Sequence, residues 1–113
     1  MGKLEQMKWA MIYQAYLKKV TRKGRTKEEL AEVICWLTQL DTTELEQTIT
    51  STQTLAEFFA KIKLNPKANL IKGKVCGIQV EAFADPFLRK VRYLDKLVDE
   101  LAQGKPMVKV LRT

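Results

Sequence analysis

Residues 85–104 read DPFLRKVRYLDKLVDELAQG, and no other stretch restricts the fold as strongly. Asp85 can accept a hydrogen bond from a free N–H of a first helical turn, and Pro86 gives up no bond that a helix makes at that position. Phe87, Val91, Leu94, Val98 and Leu101 recur at steps of four and three, with Leu88 and Leu97 widening the stripe. That spacing puts them on one face of a helix. Arg92, Asp95, Lys96, Asp99 and Glu100 fall mostly on the other side. Gly104 supplies the left-handed residue that closes many helices, and Pro106 discourages continuation. Such a helix runs about 27 Å, the width of a small domain. Heptads are not sustained elsewhere, so the stretch reads as the core helix of a bundle and not as a coiled-coil strand.

The preceding chain repeats the helical pattern. Residues 3–21 read as a first helix, with Trp9, Ile12, Tyr13, Tyr16 and Val20 on one face and Met7 and Met11 beside it. These aromatics read as core and not as a stacking platform. Thr26 and Glu29, Asp41 and Glu44, and Thr54 and Glu57 each have capping-box spacing, where an N-cap side chain and an acid three residues on satisfy each other's N–H groups. Each box precedes apolar residues at helical spacing: Leu30, Val33, Ile34 and Leu37; Leu45 and Ile49; Leu55, Phe58, Phe59 and Ile62. Leu40 and Leu45 flank the second box as a hydrophobic staple. Cys35 and Trp36 lie at the flanks of their stripe, which places Trp36 at a boundary between helices or between subunits. Asn65 can cap a short turn through Leu70 and Ile71.

Gly73 and Gly77 then bracket a segment whose Val75, Ile78 and Val80 suit extended backbone, although strict alternation fails. The residues around 71–81 therefore read as a short extended segment or small hairpin beside the long helix. Met107–Arg112 adds a last helical turn. The expected fold is mainly α: one domain over residues 1–113, a compact bundle of about five helices with that one extended piece. No apolar run approaches the ~18 residues of a membrane span, and no secretory hydrophobic region opens the chain, so the expected location is cytoplasmic.

The sequence contains no histidine. That excludes Ser-His-Asp and Cys-His catalysis and histidine-bearing zinc sites, and leaves acid–base work to Asp, Glu, Lys or Tyr. Cys35 and Cys76 form no paired metal or redox motif and should be reduced in the cytosol. No glycine-rich phosphate loop, zinc spacing or calcium loop is present. The expectation is no cofactor and no metal, and the residues present favour a non-enzyme.

Charge is distributed in blocks. Residues 1–27 carry eight basic and one acidic side chain, residues 28–60 seven acidic and no basic, and residues 61–113 twelve basic and five acidic. Lys18, Lys19, Arg22, Lys23, Arg25 and Lys27 gather around Gly24. One reading of this cluster is a footprint for nucleic acid or another anionic ligand. The reading favoured here has the acidic middle lying against the basic flanks, in the same chain or a neighbouring one. A helix C-terminus also favours cations through its dipole, which accounts for some of the cluster.

Three segments carry a family resemblance: KGRTKEELAEVICWLT (23–38), NPKANLIKGKVCGIQVE (65–81) and DPFLRKVRYLDKLVDELAQGK (85–105). Over residues 10–112 the chain resembles the bacterial family named domain of unknown function 2200. It departs at Gln14-Ala15, where related sequences often have Pro-Leu, and at Gln39-Leu40, where Gly-Tyr is common. The resemblance implies a small, mainly helical bacterial protein, and it carries no activity and no catalytic residues. Among the matching positions, Trp36, Arg92, Tyr93, Asp95 and Lys96 are the first places to look for a site, together with the basic cluster.

The function expected from these residues is a non-catalytic module that binds a protein partner or itself. The alternative is nucleic-acid or anion binding through Lys18–Lys27. A histidine-free enzyme would need Tyr93, Asp95 and Lys96, or Cys76, in one cleft with displaced pKa values.

Overall fold

Among the described residues, seven helices, a 3₁₀ turn and a minimal hairpin follow one another along the chain. They are α1 (Lys3–Gln6), α2 (Trp9–Arg22), α3 (Lys27–Thr38), α4 (Thr42–Ile49), α5 (Leu55–Ala60), the 3₁₀ turn (Pro66–Leu70), β1 (Lys74–Val75), β2 (Ile78–Gln79), α6 (Pro86–Ala102) and α7 (Met107–Val110). The computed structural model describes residues 3–71, 74–75, 78–79 and 85–111, with backbone alone at 3–4, 74–75 and 78–79. The expected mainly α fold is the observed one.

The long helix stands where its pattern put it. Asp85 accepts from the N–H groups of Phe87 and Leu88 at the start of α6, and Gly104, at φ +91°, follows its end. Seventeen residues make it about 26 Å long, enough to cross a molecule with extents of 32 × 31 × 25 Å. Val91, Leu94, Leu97, Val98 and Leu101 are buried, and every residue from Phe87 to Ala102 is at least partly covered. α2, α3, α5, α7 and β1 all lie against it.

All three capping boxes are closed in both directions. They start α3, α4 and α5, whose apolar faces supply Leu30, Val33, Ile34, Leu37, Leu45, Leu55, Phe58 and Phe59 to the core. The core is tied across elements by aromatics. Trp9 stacks on Phe58 at 4.0 Å between centroids, and Phe59 meets Phe58 and Phe87 edge-on. Trp9 Nε1 donates to Thr48 Oγ1 at 3.0 Å, so one side chain joins α2, α4 and α5.

The first helix differs from expectation. It is not continuous over 3–21 but breaks at Met7 and Lys8, where Lys8 pairs with Thr54 as an antiparallel bridge. The N–H of Leu55 donates to the carbonyl of Met7 at 2.7 Å, and that of Trp9 to the carbonyl of Gln53 at 3.1 Å. Trp9 opens α2 and Leu55 opens α5, so each donor is one that a helix start leaves without an internal partner. The bridge satisfies one such donor on each helix, and that is why the chain unwinds there. A second correction follows: Met7 and Met11 are not beside the buried face but 40% and 64% exposed.

The C-terminus of α3 is fastened differently. Gln39 adopts φ +60°, the left-handed region that costs a non-glycine residue roughly 1–2 kcal/mol. Its Nε2 donates to the carbonyls of Lys63 and Leu64, while the N–H of Asn65 donates to the carbonyl of Leu37 and its Nδ2 to that of Trp36. Asn65 also caps the 3₁₀ turn through Lys67 N–H. β1 and β2 pair antiparallel with Lys74 opposite Gln79 and Val75 opposite Ile78, the small hairpin expected in this region. Gly73, Cys76, Gly77 and Val80 lie outside the described residues.

Candidate functional site

The polar groups that meet across elements do so mainly along the junction of α2 and α6. Tyr16 and Lys19 stand three apart on α2, and Asp95 and Asp99 stand four apart on α6, so each pair projects from one helix face. The Tyr16 hydroxyl donates a short hydrogen bond to Asp95 Oδ1. Arg92 Nη1 donates to Asp95 Oδ2 at 2.6 Å, so both carboxylate oxygens are engaged. Lys19 Nζ lies 3.1 Å from Asp99 Oδ1, and Gln103 Nε2 donates to Asp99 Oδ2 at 3.0 Å. One turn further, Glu100 is buried, with Lys105 at 3.6 Å and Lys96 at 3.8 Å from its carboxylate.

These bonds make the seam a clasp between α2 and α6. Burial holds the Tyr16 phenol well above its ordinary pKa, and the Asp95 charge and the hydrogen bond to it push the same way, against a smaller opposing pull from Arg92. A neutral phenol fixed on a carboxylate donates its proton to that bond and is a poor base. Cys35 is held as a thiol above its ordinary value by burial first, then by Asp41 and Glu44.

The residues singled out in the sequence scatter around this seam. Lys19, Arg92 and Asp95 are part of it. Lys96 is turned to Glu100, and Tyr93 is buried. Lys18, Arg22, Lys23 and Lys27 are exposed and enter no ion pair among the described residues, whereas Arg25 Nη2 pairs with Glu29 at 3.0 Å. Trp36 is partly exposed, its indole N–H buried without a hydrogen-bond partner and its carbonyl accepting from Asn65. Four clefts open at the α4–α5 junction, between α2, α3 and α4, beside α1 and α5, and on the outer face of α2. None of these four is lined by Arg92, Tyr93, Asp95 or Lys96, so the triad a histidine-free enzyme would need shares no cleft among them. Among the described residues no group of three or more Cys, Asp or Glu is placed to hold a metal ion. Nor is any helix among them long and apolar enough to cross a membrane.

Tyr16 is the residue that sequence reasoning missed. Its place on the aromatic stripe of α2 assigned it to the core. The available signal was Lys19 one turn on, facing carboxylates at i and i+4 on the amphipathic helix.

The charge blocks resolve unevenly. Among the described residues, Arg25–Glu29 is the ion pair that joins the acidic middle to a basic flank. Glu28, Glu32, Asp41, Glu44, Glu46 and Glu57 are exposed. α2 of the basic flank packs on α3 and α4 of the acidic middle, so the blocks do lie side by side within the chain, but these exposed acids enter no ion pair among the described residues.

The sequence profile of a family described as an uncharacterized protein conserved in bacteria (DUF2200) matches residues 3–112. A solved structure titled "Crystal structure of uncharacterized protein SP1917" has the same fold, with a TM-score of 0.93 and 38% sequence identity over 99% of this chain and 93% of that one. No curated protein matches the chain.

Proposed function

The chain belongs to this family of uncharacterised bacterial proteins, DUF2200, and from that premise we propose that it is a non-catalytic protein-interaction module that docks through its two opposite charged faces. One observation carries the reading: within the chain, the exposed cations of the α2–α3 turn and the exposed acids of α3 and α4 are left unpaired across blocks. Complementary faces on one surface fit a second copy of the same chain in a head-to-tail contact, where the basic turn of one meets the acidic face of the next. The net charge of +7 opposes association at long range. Physiological salt screens that repulsion beyond about 8 Å while leaving close pairs less affected. The contact is accordingly weak and salt-sensitive. Sedimentation of the protein over a dilution series should show mass rising with concentration at low salt and falling back to monomer in high salt. A strict monomer at every concentration, with no acidic or basic protein partner recovered from a lysate, contradicts the reading.

A second reading has support of its own. Lys18, Arg22, Lys23 and Lys27 are exposed and unpaired, which fits phosphate contacts along a nucleic acid. Against it, the acids Glu28, Glu29 and Glu32 follow within two turns, and the N-terminal N–H groups of α3 that could cradle a phosphate include one taken by the Thr26 cap. Labelled DNA and RNA at low ionic strength decide it. Binding that weakens with a log–log salt slope near one per phosphate contact supports it, and absence of binding removes it.

A further inference from the structure

Between Glu57 and Glu81 the chain has no acidic residue and five lysines, Lys61, Lys63, Lys67, Lys72 and Lys74. The first three are exposed and enter no ion pair among the described residues. The 3₁₀ turn at Pro66–Leu70 sorts its side chains by a three-residue period, which sets i and i+3 on one face. Ala68 and Ile71, one such pair, are buried and anchor the turn. Lys67 and Leu70, another such pair, share an outward face, and Leu70 is 51% exposed. Lys63 stands four residues before Lys67, at most about 14 Å away along the chain. The backbone beneath is fixed. The Gln39 side chain donates to the carbonyls of Lys63 and Leu64, and Asn65 donates from its N–H and its Nδ2 to the carbonyls of Leu37 and Trp36. A partner that docks here has no loop to order first.

The geometry points to this platform as a docking surface for an anionic lipid bilayer. Leu70 enters the headgroup layer, and the ammonium groups of Lys63 and Lys67 lie beside it on the lipid phosphates. Charge complementarity selects an anionic partner, because every charged side chain between Glu57 and Glu81 is a cation. Residue type then selects a membrane over a nucleic acid. The segment has no arginine for bidentate contacts, and its aromatics, Phe58 and Phe59, are buried and offer no face for a base to stack on. An exposed leucine gains nothing on a bare phosphate but gains apolar surroundings below lipid headgroups. Lysine heads on long stems stay at headgroup level while an apolar neighbour goes deeper. The contact is peripheral, since no helix among the described residues is long and apolar enough to cross a membrane. It uses neither the α2–α3 turn nor the acids of α3 and α4, so it is separate from the charged docking faces.

Co-sedimentation of the full chain with vesicles tests it, phosphatidylglycerol–phosphatidylcholine against phosphatidylcholine alone. The chain should bind the anionic vesicles at about 0.1 M salt, where the Debye length is about 10 Å. It should leave them in high salt and ignore the neutral ones. At a net charge of +7 any basic face gives that result, so variants at exposed side chains locate the contact. Lys63→Gln with Lys67→Gln should weaken binding about 25-fold, at roughly fivefold per lysine near an anionic surface. Lys18→Gln with Lys23→Gln removes the same charge from the α2–α3 turn and should weaken it less than about threefold, because charges beyond a Debye length are screened. Leu70→Ser leaves the charge unchanged and should weaken binding about fivefold, the effect of a half-exposed leucine losing its apolar burial. The proposal is overturned if anionic vesicles do not bind or if the two lysine pairs count equally. It is overturned as well if Leu70→Ser leaves binding intact, the mark of a bare phosphate contact such as a nucleic acid makes.

Discussion

Tyr16 and Gln39 show how single residues hold elements that have no continuous sequence link. The Tyr16 phenol is held above its ordinary value of 10.0, chiefly by burial and then by Asp95. A group whose folded pKa is raised binds its proton more tightly when folded. Its contribution is therefore complete below pH 10 and is lost as pH rises through the folded value. Tyr13 is raised as well and adds to the same trend. Urea denaturation should thus report falling stability above about pH 10, with a shallower fall in Tyr16→Phe. At neutral pH that variant should lose about 1.5–3 kcal/mol, the worth of a hydrogen bond to a charged partner. An unchanged alkaline slope in Tyr16→Phe would show that the phenol is not buried on Asp95. Gln39 combines a left-handed backbone with two side-chain bonds to the segment at 63–64. Gln39→Ala keeps the backbone cost and removes both bonds, so it should destabilise by about 1–2 kcal/mol. Gln39→Gly relieves the backbone and should cost less than the alanine variant. Gln39's role was not legible beforehand, because its partners lie far away in the chain, and Tyr16 left only the indirect signal of Lys19 one turn on.

Helix starts were the most legible feature, because their signals are local. Asp85, Thr26, Asp41 and Thr54 each announce a helix by their own side chains, and each accepts the expected backbone bond. Asp41→Ala should therefore cost about 1 kcal/mol in thermal or chemical melts, with the loss confined to one cap. The start of α2 was not legible for the converse reason. Its N-cap is Lys8, which makes no side-chain cap bond, and the bridge to Thr54 does that work from 46 residues away. The main apolar stripe of α6 was read correctly because a stripe repeated over almost five turns averages out local exceptions; Glu100, placed on the polar side, is such an exception and is buried. Leu94 and Leu97, both fully buried on α6, should each cost about 2–5 kcal/mol when cut to alanine. A loss under about 1 kcal/mol at either position would deny α6 its central place.

Across the whole molecule, charge is where sequence and structure part. Block charges at 1–27, 28–60 and 61–113 suggested mutual neutralisation, but helices that pack through their apolar faces need not bring their charges together. α6 draws Lys19 to Asp99, and Lys96 and Lys105 to Glu100, so the last block satisfies part of its own charge and part of the first block's. The acids of α3 and α4 are left facing outward, as are the cations of the α2–α3 turn. If those faces dock on each other between copies, two variants should be complementary. One carries Lys18→Gln, Arg22→Gln, Lys23→Gln and Lys27→Gln; the other carries Glu28→Gln, Glu32→Gln and Glu46→Gln. Sedimentation equilibrium at low salt measures this directly. Each variant alone should stay monomeric, and an equimolar mixture should form a dimer that goes no further, through the acidic face of the first and the basic face of the second. A mixture that remains monomeric under conditions where the unmodified chain associates would contradict docking between the two charged faces.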